Sequence, residues 1–569
     1  MTKKDIIRLL ENIATYMELK GENAFKVSAY RKAAQSLEID ERTLDEIEDV
    51  TTLKNIGKGV GEVIETYRTT GTSPTLETLQ NEVPEGLIPL LKIQGLGSKK
   101  IAKLYESLHI TDKASLQAAC EAGKVSELKG FAKKTEQNIL EAVKAMGVKK
   151  SHYPINMMRG LNDKITTYLK TIPEIERFEV AGSFRRMKEM SKDLDYIIST
   201  RAPLKVQAAL KNIPNKVKEV AVGETKVSLE MRYEDETIGV DFRLIEPEAF
   251  YHTLQHFTGS KDHNIRIRQL AKAQGEKVSE YGIERSDGQL LQFNSEAEIY
   301  AHFNVEWMAP SLREDGSEFD KDLSDIITLD DIRGDIHMHT TASDGAMSLR
   351  EMVEANIQKG YEFMCITDHS KNLRVANGLS VEKLLKQNEE IKALNREYNE
   401  IDIYSGTEMD ILPDGTLDYE DDVLAQLDYV IAAIHQSFNQ SEADIMKRLE
   451  TACYNPYVRH IAHPTGRIIG RREGYKVNIE QLVRMCSETG TALEINANPQ
   501  RLDLNATILR AHPQLKLTIN TDAHHTNHLA FMHYGVATAQ KGFVKKSQVI
   551  NAYTREQFQA FIRQSKSVK

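Results

Sequence analysis

From Arg333 onward, the sequence places a histidine or a carboxylate after almost every apolar run. Asp335-Ile-His337-Met-His339 is followed by Asp344, Thr367-Asp-His369, Gly406-Thr-Glu408, Ala433-Ile-His435, Ala462-His463-Pro464 and Thr521-Asp522-Ala-His524. Runs such as Phe363-Met-Cys-Ile366, Tyr429-Val-Ile-Ala-Ala-Ile434 and Leu515-Lys-Leu-Thr-Ile519 lead into them, with helical stretches between. In a β/α barrel the C-terminal ends of the strands converge on one face, so this spacing gathers the groups into a single cup. One histidine at a strand end is ordinarily a satisfied polar residue; a series at successive ends points to metal. Imidazole mixed with carboxylate suits Zn²⁺, Mn²⁺ or Fe²⁺ better than Mg²⁺. Ions held a few ångströms apart would bring a bridging water toward a pKa of about 7 and let hydroxide attack a phosphodiester. Arg467 and Arg471-Arg472 follow His463 and either grip that phosphate or form a solvated loop.

A second constellation lies upstream. Gly182-Ser-Phe-Arg-Arg186 precedes Asp193-Leu-Asp195, and Asp241 sits in a later Val-Asp-Phe-Arg run. In a strand, residues i and i+2 face the same side, so Asp193 and Asp195 point together. With a third carboxylate from a neighbouring strand they suit two Mg²⁺ ions, which prefer oxygen ligands and bridge to phosphates. A lone Asp-x-Asp is more often a solvated strand edge; here Gly-Ser-Phe-Arg-Arg accompanies it.

The elements around these groups fall into segments. Residues 1–150 read as short helices, in which Leu53-Lys-Asn-Ile-Gly-Lys-Gly-Val-Gly61, Leu91-Lys-Ile-Gln-Gly-Leu-Gly-Ser98 and a weaker Leu128-Lys-Gly-Phe-Ala-Lys133 repeat one pattern. These look like helix-hairpin-helix units, divided between 1–85 and 86–150. Gly57, Gly59, Gly61, Gly95 and Gly97 would let backbone amides approach a DNA phosphate without reading sequence. Three Gly-capped turns of a plain bundle are the alternative, which the repetition disfavours. Residues 151–310 alternate strands and helices, 311–332 read as a linker, and 333–569 form the histidine-rich domain. The net charge of −10 over 569 residues argues against nucleic acid as a partner. The first 150 residues are nearly neutral, however, and the acidity grows toward the metal-binding end. Four scattered cysteines form no CxxC pair, no run is long enough to span a membrane, and the N-terminus has no apolar signal core. A cytoplasmic monomer is expected.

Residues 1 to about 310 resemble the family X DNA polymerases, relatives of DNA polymerase beta. The resemblance implies that Asp193, Asp195 and Asp241 are the catalytic metal triad of a nucleotidyltransferase palm, and that Ser183 and Arg186 hold the triphosphate of a dNTP. His256-Phe-Thr-Gly-Ser-Lys-Asp-His-Asn264 resembles the family's nucleotide-binding motif. Phe257 and Gly259 would line the sugar pocket, with Asn264 and Arg268 near the nascent pair. His256 stands where tyrosine is expected, and Lys192 where the animal relatives carry a small glycine. Val63 stands at the lysine used by the animal relatives' 5′-deoxyribose phosphate lyase, so little lyase activity is expected.

The C-terminal part resembles the polymerase-and-histidinol-phosphatase (PHP) family, which implies a distorted seven-stranded β/α barrel holding up to three divalent ions. By that resemblance the ligands are His337, His339, Asp344, His369, Glu408, His435, His463, Asp522 and His524. The combined expectation is gap-filling synthesis on gapped or nicked duplex DNA. A barrel with 3′→5′ exonuclease and end-processing activity would accompany it, with abasic-site incision as a weaker possibility. The competing readings are a nucleotidyltransferase with another acceptor, a template-independent transferase, and a DNA-binding protein fused to a small-molecule phosphatase.

Overall fold

The computed structural model describes residues 3–39, 44, 47–93, 96–145, 151–564 and 566. The chain divides into two compact units, Met1–Lys150 and Ser151–Lys569. No described helix is long and apolar enough to cross a membrane.

The first unit is helical. Lys3–Leu19, Ala24–Ile39, Lys58–Thr70 and Pro74–Glu82 precede Ser98–Leu108, Lys113–Glu121 and Lys133–Ala145. Ile6, Leu10, Leu37, Val50 and Ile64 belong to one apolar cluster, and Leu87, Leu90, Ile101, Leu104 and Ile139 to another. The helices that follow the 53–61 and 91–98 repeats start alike. Gly57 (φ −83°, ψ 171°) and Gly97 (φ −77°, ψ 170°) each start a helix with no side-chain cap, so the first amides of that helix have no side-chain acceptor there. A Cβ at Gly57, Gly59 or Gly97 would meet nothing within 4 Å. Gly61 differs: it is buried, and a Cβ there would lie 2.6 Å from Thr51 Cγ2, so it serves internal packing rather than an open backbone surface. Gly95 lies outside the described residues.

The second unit begins with a five-stranded sheet in the order Arg177–Val180, Asp193–Ser199, Glu236–Ile245, Lys226–Tyr233, Lys216–Val222. Asp193–Ser199 and Glu236–Ile245 run parallel, with Asp195 paired to Asp241. The sheet buries Leu194, Tyr196, Val240 and Phe242 against the helix Ile155–Leu169. Helices Phe250–Thr258, Lys261–Ala273 and Glu296–His302, with three two-residue strands, form a smaller subdomain beside it.

The histidine-rich part is a parallel seven-stranded sheet in strict chain order: Gly334–Asp335, Phe363–Ile366, Asp402–Asp410, Tyr429–Ala433, Val458–Ile461, Ala492–Asn496 and Leu517–Asn520. The strands are short apolar runs, as a sheet covered on both faces requires. A parallel bridge between Met338 and Ala523 joins the first and last strands just beyond their ends, so the barrel closes at its C-terminal mouth. Ser348, Ser380, Ser441 and Asn478 cap the intervening helices, so each turn back to the next strand starts from a defined helix end.

The segment 311–332 connects the sheet domain to the barrel but is no loose tether. Arg313 is fully buried, bonding Met308 O at 2.9 Å and Glu296 Oε1 at 2.7 Å. Glu296 also takes Arg185 at 2.7 and 3.1 Å. The domains themselves interlock: Ala497, Leu502, Phe531 and Tyr534 of the barrel side belong to the same apolar cluster as the palm sheet.

Two candidate metal centres

The parallel pairing that sets Asp195 beside Asp241 brings the three palm carboxylates together. Gly182 enters with φ +64°, and a Cβ there would sit 2.4 Å from Asp195 Oδ2, so only glycine admits this approach. Burial first, and then the charges of Asp193 and Asp241, push the Asp195 carboxyl up to about 6. Burial also raises Asp193, opposed by Lys192, whose side chain is exposed. Three carboxylates gathered in this way, two of them raised by burial and by their neighbours' charge, are what a cation relieves, and their oxygen-only chemistry fits Mg²⁺. Lys226, on the neighbouring strand, reaches Asp241 Oδ2 at 2.7 Å; no motif marked it in the sequence.

Around the triad, Ser183 Oγ bonds Ser191 Oγ at 2.9 Å. Arg186 donates to the Thr258 carbonyl, while its Nε is buried without a hydrogen-bond partner. Gly259 lies against it, since a Cβ there would be 3.4 Å from Arg186 Nη1. The Arg243 guanidinium covers the Phe257 ring at 3.7 Å from its centroid. Asn264 is engaged at both ends, accepting from Gln255 at 2.8 Å and donating to His256 O at 2.7 Å, whereas Arg268 is exposed. His256 approaches Glu280 at 3.9 Å.

At the barrel mouth all nine predicted residues meet, one strand after another. Glu408 is central. Its Oε2 lies 3.3 Å from His337 Nε2, 3.5 Å from His339 Nε2 and 3.1 Å from His369 Nδ1. Its Oε1 lies 3.1 Å from His435 and 2.8 Å from His463. Asp522 Oδ1 stands 3.5 Å from His337 and 3.2 Å from His339, and Asp344 Oδ1 stands 3.5 Å from His369 and 3.2 Å from His524. Within this set His337 Nε2, both nitrogens of His339, His369 Nδ1, His463 Nδ1 and Asp344 Oδ1 are buried without a hydrogen-bond partner. Orphaned lone pairs facing one another at such distances fit divalent ions. His463 (φ 29°) and Asp522 (φ 53°) are held in the left-handed region, backbone strain of the kind that collects at functional sites.

A supporting layer orients the ligands. His337 Nδ1 meets Glu494 Oε1 at 2.7 Å and His435 Nδ1 meets Asp410, leaving the Nε2 edges for metal. Burial opposes protonation of His435, yet Glu408 and Asp410 push it up to about 10. Glu494 was missed in the sequence because it lies in the middle of the sixth strand, Ala492–Asn496, rather than at its end; Asp410 lies two residues past Glu408 on the same strand. Arg467 is not free for phosphate: it pairs with Glu189 of the palm at 2.6 and 3.0 Å. Arg472 donates to Gly466 O and lies over Phe438. The arginine at the cup is Arg501, 3.7 Å from Asp522 Oδ2.

Comparison with known proteins agrees with both halves. Family models described as helix-hairpin-helix domain (residues 1–73), SAM-like helix-hairpin-helix tandem (87–145), DNA polymerase beta thumb (253–314) and PHP domain (335–498) match the chain. A Bacillus subtilis (strain 168) protein named DNA polymerase/3′-5′ exonuclease PolX is 53% identical over 570 residues, spanning 99% of this chain and 100% of that protein. Two proteins named probable phosphatase match a smaller part of the chain. The one from Thermoanaerobacter sp. (strain X514) is 32% identical over 167 residues, and the one from Caldicellulosiruptor bescii 33% over 164. Each match covers 28% of this chain and 63% of the relative. With a relative of that identity aligned from end to end, the chain belongs to the family X DNA polymerases that carry a PHP domain.

Proposed function

We propose that the palm fills short gaps in duplex DNA from dNTPs during repair, and that the barrel removes nucleotides and blocked groups from 3′ ends. The observation that carries this reading is the presence of two separate metal-ready clusters, one of oxygen ligands and one mixed, in a single interlocked unit. Asp193, Asp195 and Asp241 would hold Mg²⁺; ions there supply Lewis acidity to the transferred phosphoryl group and the primer hydroxyl. Arg186 would meet the triphosphate with its free Nε, and Ser183 would add a hydroxyl. Phe257 and Gly259 would bound the sugar, and Asn264 and Arg268 would face the nascent pair. Gly57, Gly59 and Gly97 would present the hairpin backbones to DNA phosphates.

In the barrel His337, His339, Asp344, His369, Glu408, His435, His463, Asp522 and His524 would hold Mn²⁺, Zn²⁺ or Fe²⁺, up to three ions; the chemistry these supply is a water acidic enough to ionise near neutral pH. Glu494 and Asp410 keep the imidazoles in the tautomer that presents a lone pair. The protein would act as a cytoplasmic monomer. The domain limits proposed are 1–85, 86–150, 151–310 and 333–569, joined by 311–332.

One labelled gapped duplex, incubated with Mg²⁺ or Mn²⁺ and with or without dNTPs, tests both activities. Asp195→Ala should reduce synthesis by about three orders of magnitude or more and leave 3′ shortening intact, while His339→Ala should do the reverse. Near-parental gap filling by Asp195→Ala would displace the triad, and full exonuclease in a His337→Ala/His339→Ala variant would place that activity elsewhere. The phosphatase-named relatives supply the second reading, hydrolysis of small phosphomonoesters by the barrel. It would be preferred if free phosphate were released from such esters while 3′ ends stayed intact.

A further inference from the structure

A lysine on the barrel side reaches, through one carboxylate, into the palm's nucleotide pocket. Lys541 ends the helix Met532–Lys541, is largely buried, and donates a hydrogen bond to Glu314 Oε1. That same oxygen lies 3.7 Å from Arg186 Nε, too far for a hydrogen bond. The other oxygen of Glu314 lies 3.3 Å from Lys188. Glu314 is also bound by its backbone, since its carbonyl accepts from Ser260 Oγ, beside Gly259. The contact is held on both flanks. Ser311 Oγ bonds Gln540 at 2.5 Å, and Arg510 bridges the Lys541 carbonyl at 2.6 Å and Asp315 at 2.7 Å.

From this geometry we infer that Lys541 is a positioning residue for synthesis: by occupying Glu314 Oε1 it keeps that carboxylate from capturing Arg186, and so leaves the guanidinium available to the triphosphate of the incoming nucleotide. Arg186 Nε and Lys541 Nζ compete for one oxygen. Without the lysine, Glu314 closes the present 3.7 Å ion pair with Arg186 into a hydrogen-bonded one, which a dNTP must break before it binds. The apparent affinity then falls by the fraction of molecules in which Arg186 is free. The barrel thereby sets nucleotide affinity in the palm without touching the nucleotide.

This inference rests on the palm reading above, so wild-type gap filling is measured first; a wild type that does not extend the primer would defeat that reading and not this one. Steady-state single-nucleotide gap filling should then show Lys541→Met raising KM for dNTP about five- to tenfold with kcat within about twofold. Exonuclease on the same preparation should stay at the parental level, reporting an intact barrel. Glu314→Gln removes the competitor and should leave KM at or below the parental value. The Lys541→Met/Glu314→Gln pair should return KM to within about twofold of wild type, a rescue that mere loss of packing would not produce. A parental KM in active Lys541→Met, a raised KM in Glu314→Gln, or a double variant as impaired as the single would each overturn the inference.

Discussion

At the palm carboxylates, the missing side chain of Gly182 is the space into which Asp195 fits. Gly182→Ala would force a Cβ to 2.4 Å from Asp195 Oδ2 in a left-handed backbone, so the carboxylate or the loop must move. A displacement of this kind should lower gap-filling kcat/KM at least about a hundredfold while barrel exonuclease persists, as primer extension and 3′ shortening on one preparation will show. A different residue decides the lyase question. Val63 is half-buried in the helix Lys58–Thr70 against the Leu9 and Ile13 cluster, and Lys54 and Lys58 are exposed. Valine forms no imine, so borohydride trapping on an incised abasic substrate should yield no adduct. Any incision should disappear with EDTA and in His339→Ala; an EDTA-resistant adduct lost on mutating Lys54 or Lys58 would reverse this. The nine candidate ligands of the barrel could be picked out because all but Asp344, which lies in a turn, fall in or just past a strand, where sequence order and geometry coincide. Lys226 and Glu314 were not, since their partners Asp241 and Lys541 come from other elements and no local pattern announces a pairing across them.

Among the elements, the joint at Glu296 holds the palm helix, the subdomain helix and the connecting segment through two arginines. Burial alone would raise this carboxyl, but Arg313 and Arg185 overcome it and bring it from 4.5 down to about 2. A depressed folded value means the stabilisation is fully present above pH 4.5 and is lost as the pH falls toward about 2. It amounts to roughly 3 kcal/mol at most. Glu296→Gln should therefore destabilise the protein near neutral pH, where it strands buried Arg313 and half-buried Arg185, and its deficit should shrink near pH 3. Denaturant unfolding at the two pH values measures this, and a deficit independent of pH would refute it. Three barrel strands were readable as apolar runs leading to candidate ligands, at 363–366, 429–434 and 515–519, whereas the sixth, which carries Glu494, was not. The segment 311–332 read as a linker because it follows Pro310 and is rich in charge; three of those charges, on Arg313, Glu314 and Asp315, are spent inward, on Glu296, Lys541 and Arg510.

In the whole molecule, barrel residues complete the palm's apolar cluster. A chain cut after Ile332 loses Ala497, Leu502, Phe531 and Tyr534 from the palm's apolar cluster, and loses Arg467 from Glu189. Large buried side chains contribute on the order of 3–5 kcal/mol each. The 1–332 fragment should melt roughly 10 °C or more below the full chain and bind a hydrophobic dye. A parental Tm would show that the shared core adds nothing. The same arrangement governs the order of events on the ribosome. Glu189 precedes Arg467 by 278 residues, which at about 5–20 residues per second is a wait on the order of 15 to 60 s. Throughout that interval the nascent palm carries an uncovered apolar patch, a natural client for a chaperone. A premature stop before Phe531 releases a palm that lacks part of its apolar cluster, so a polymerase stripped of its barrel should be the less stable and the shorter-lived species.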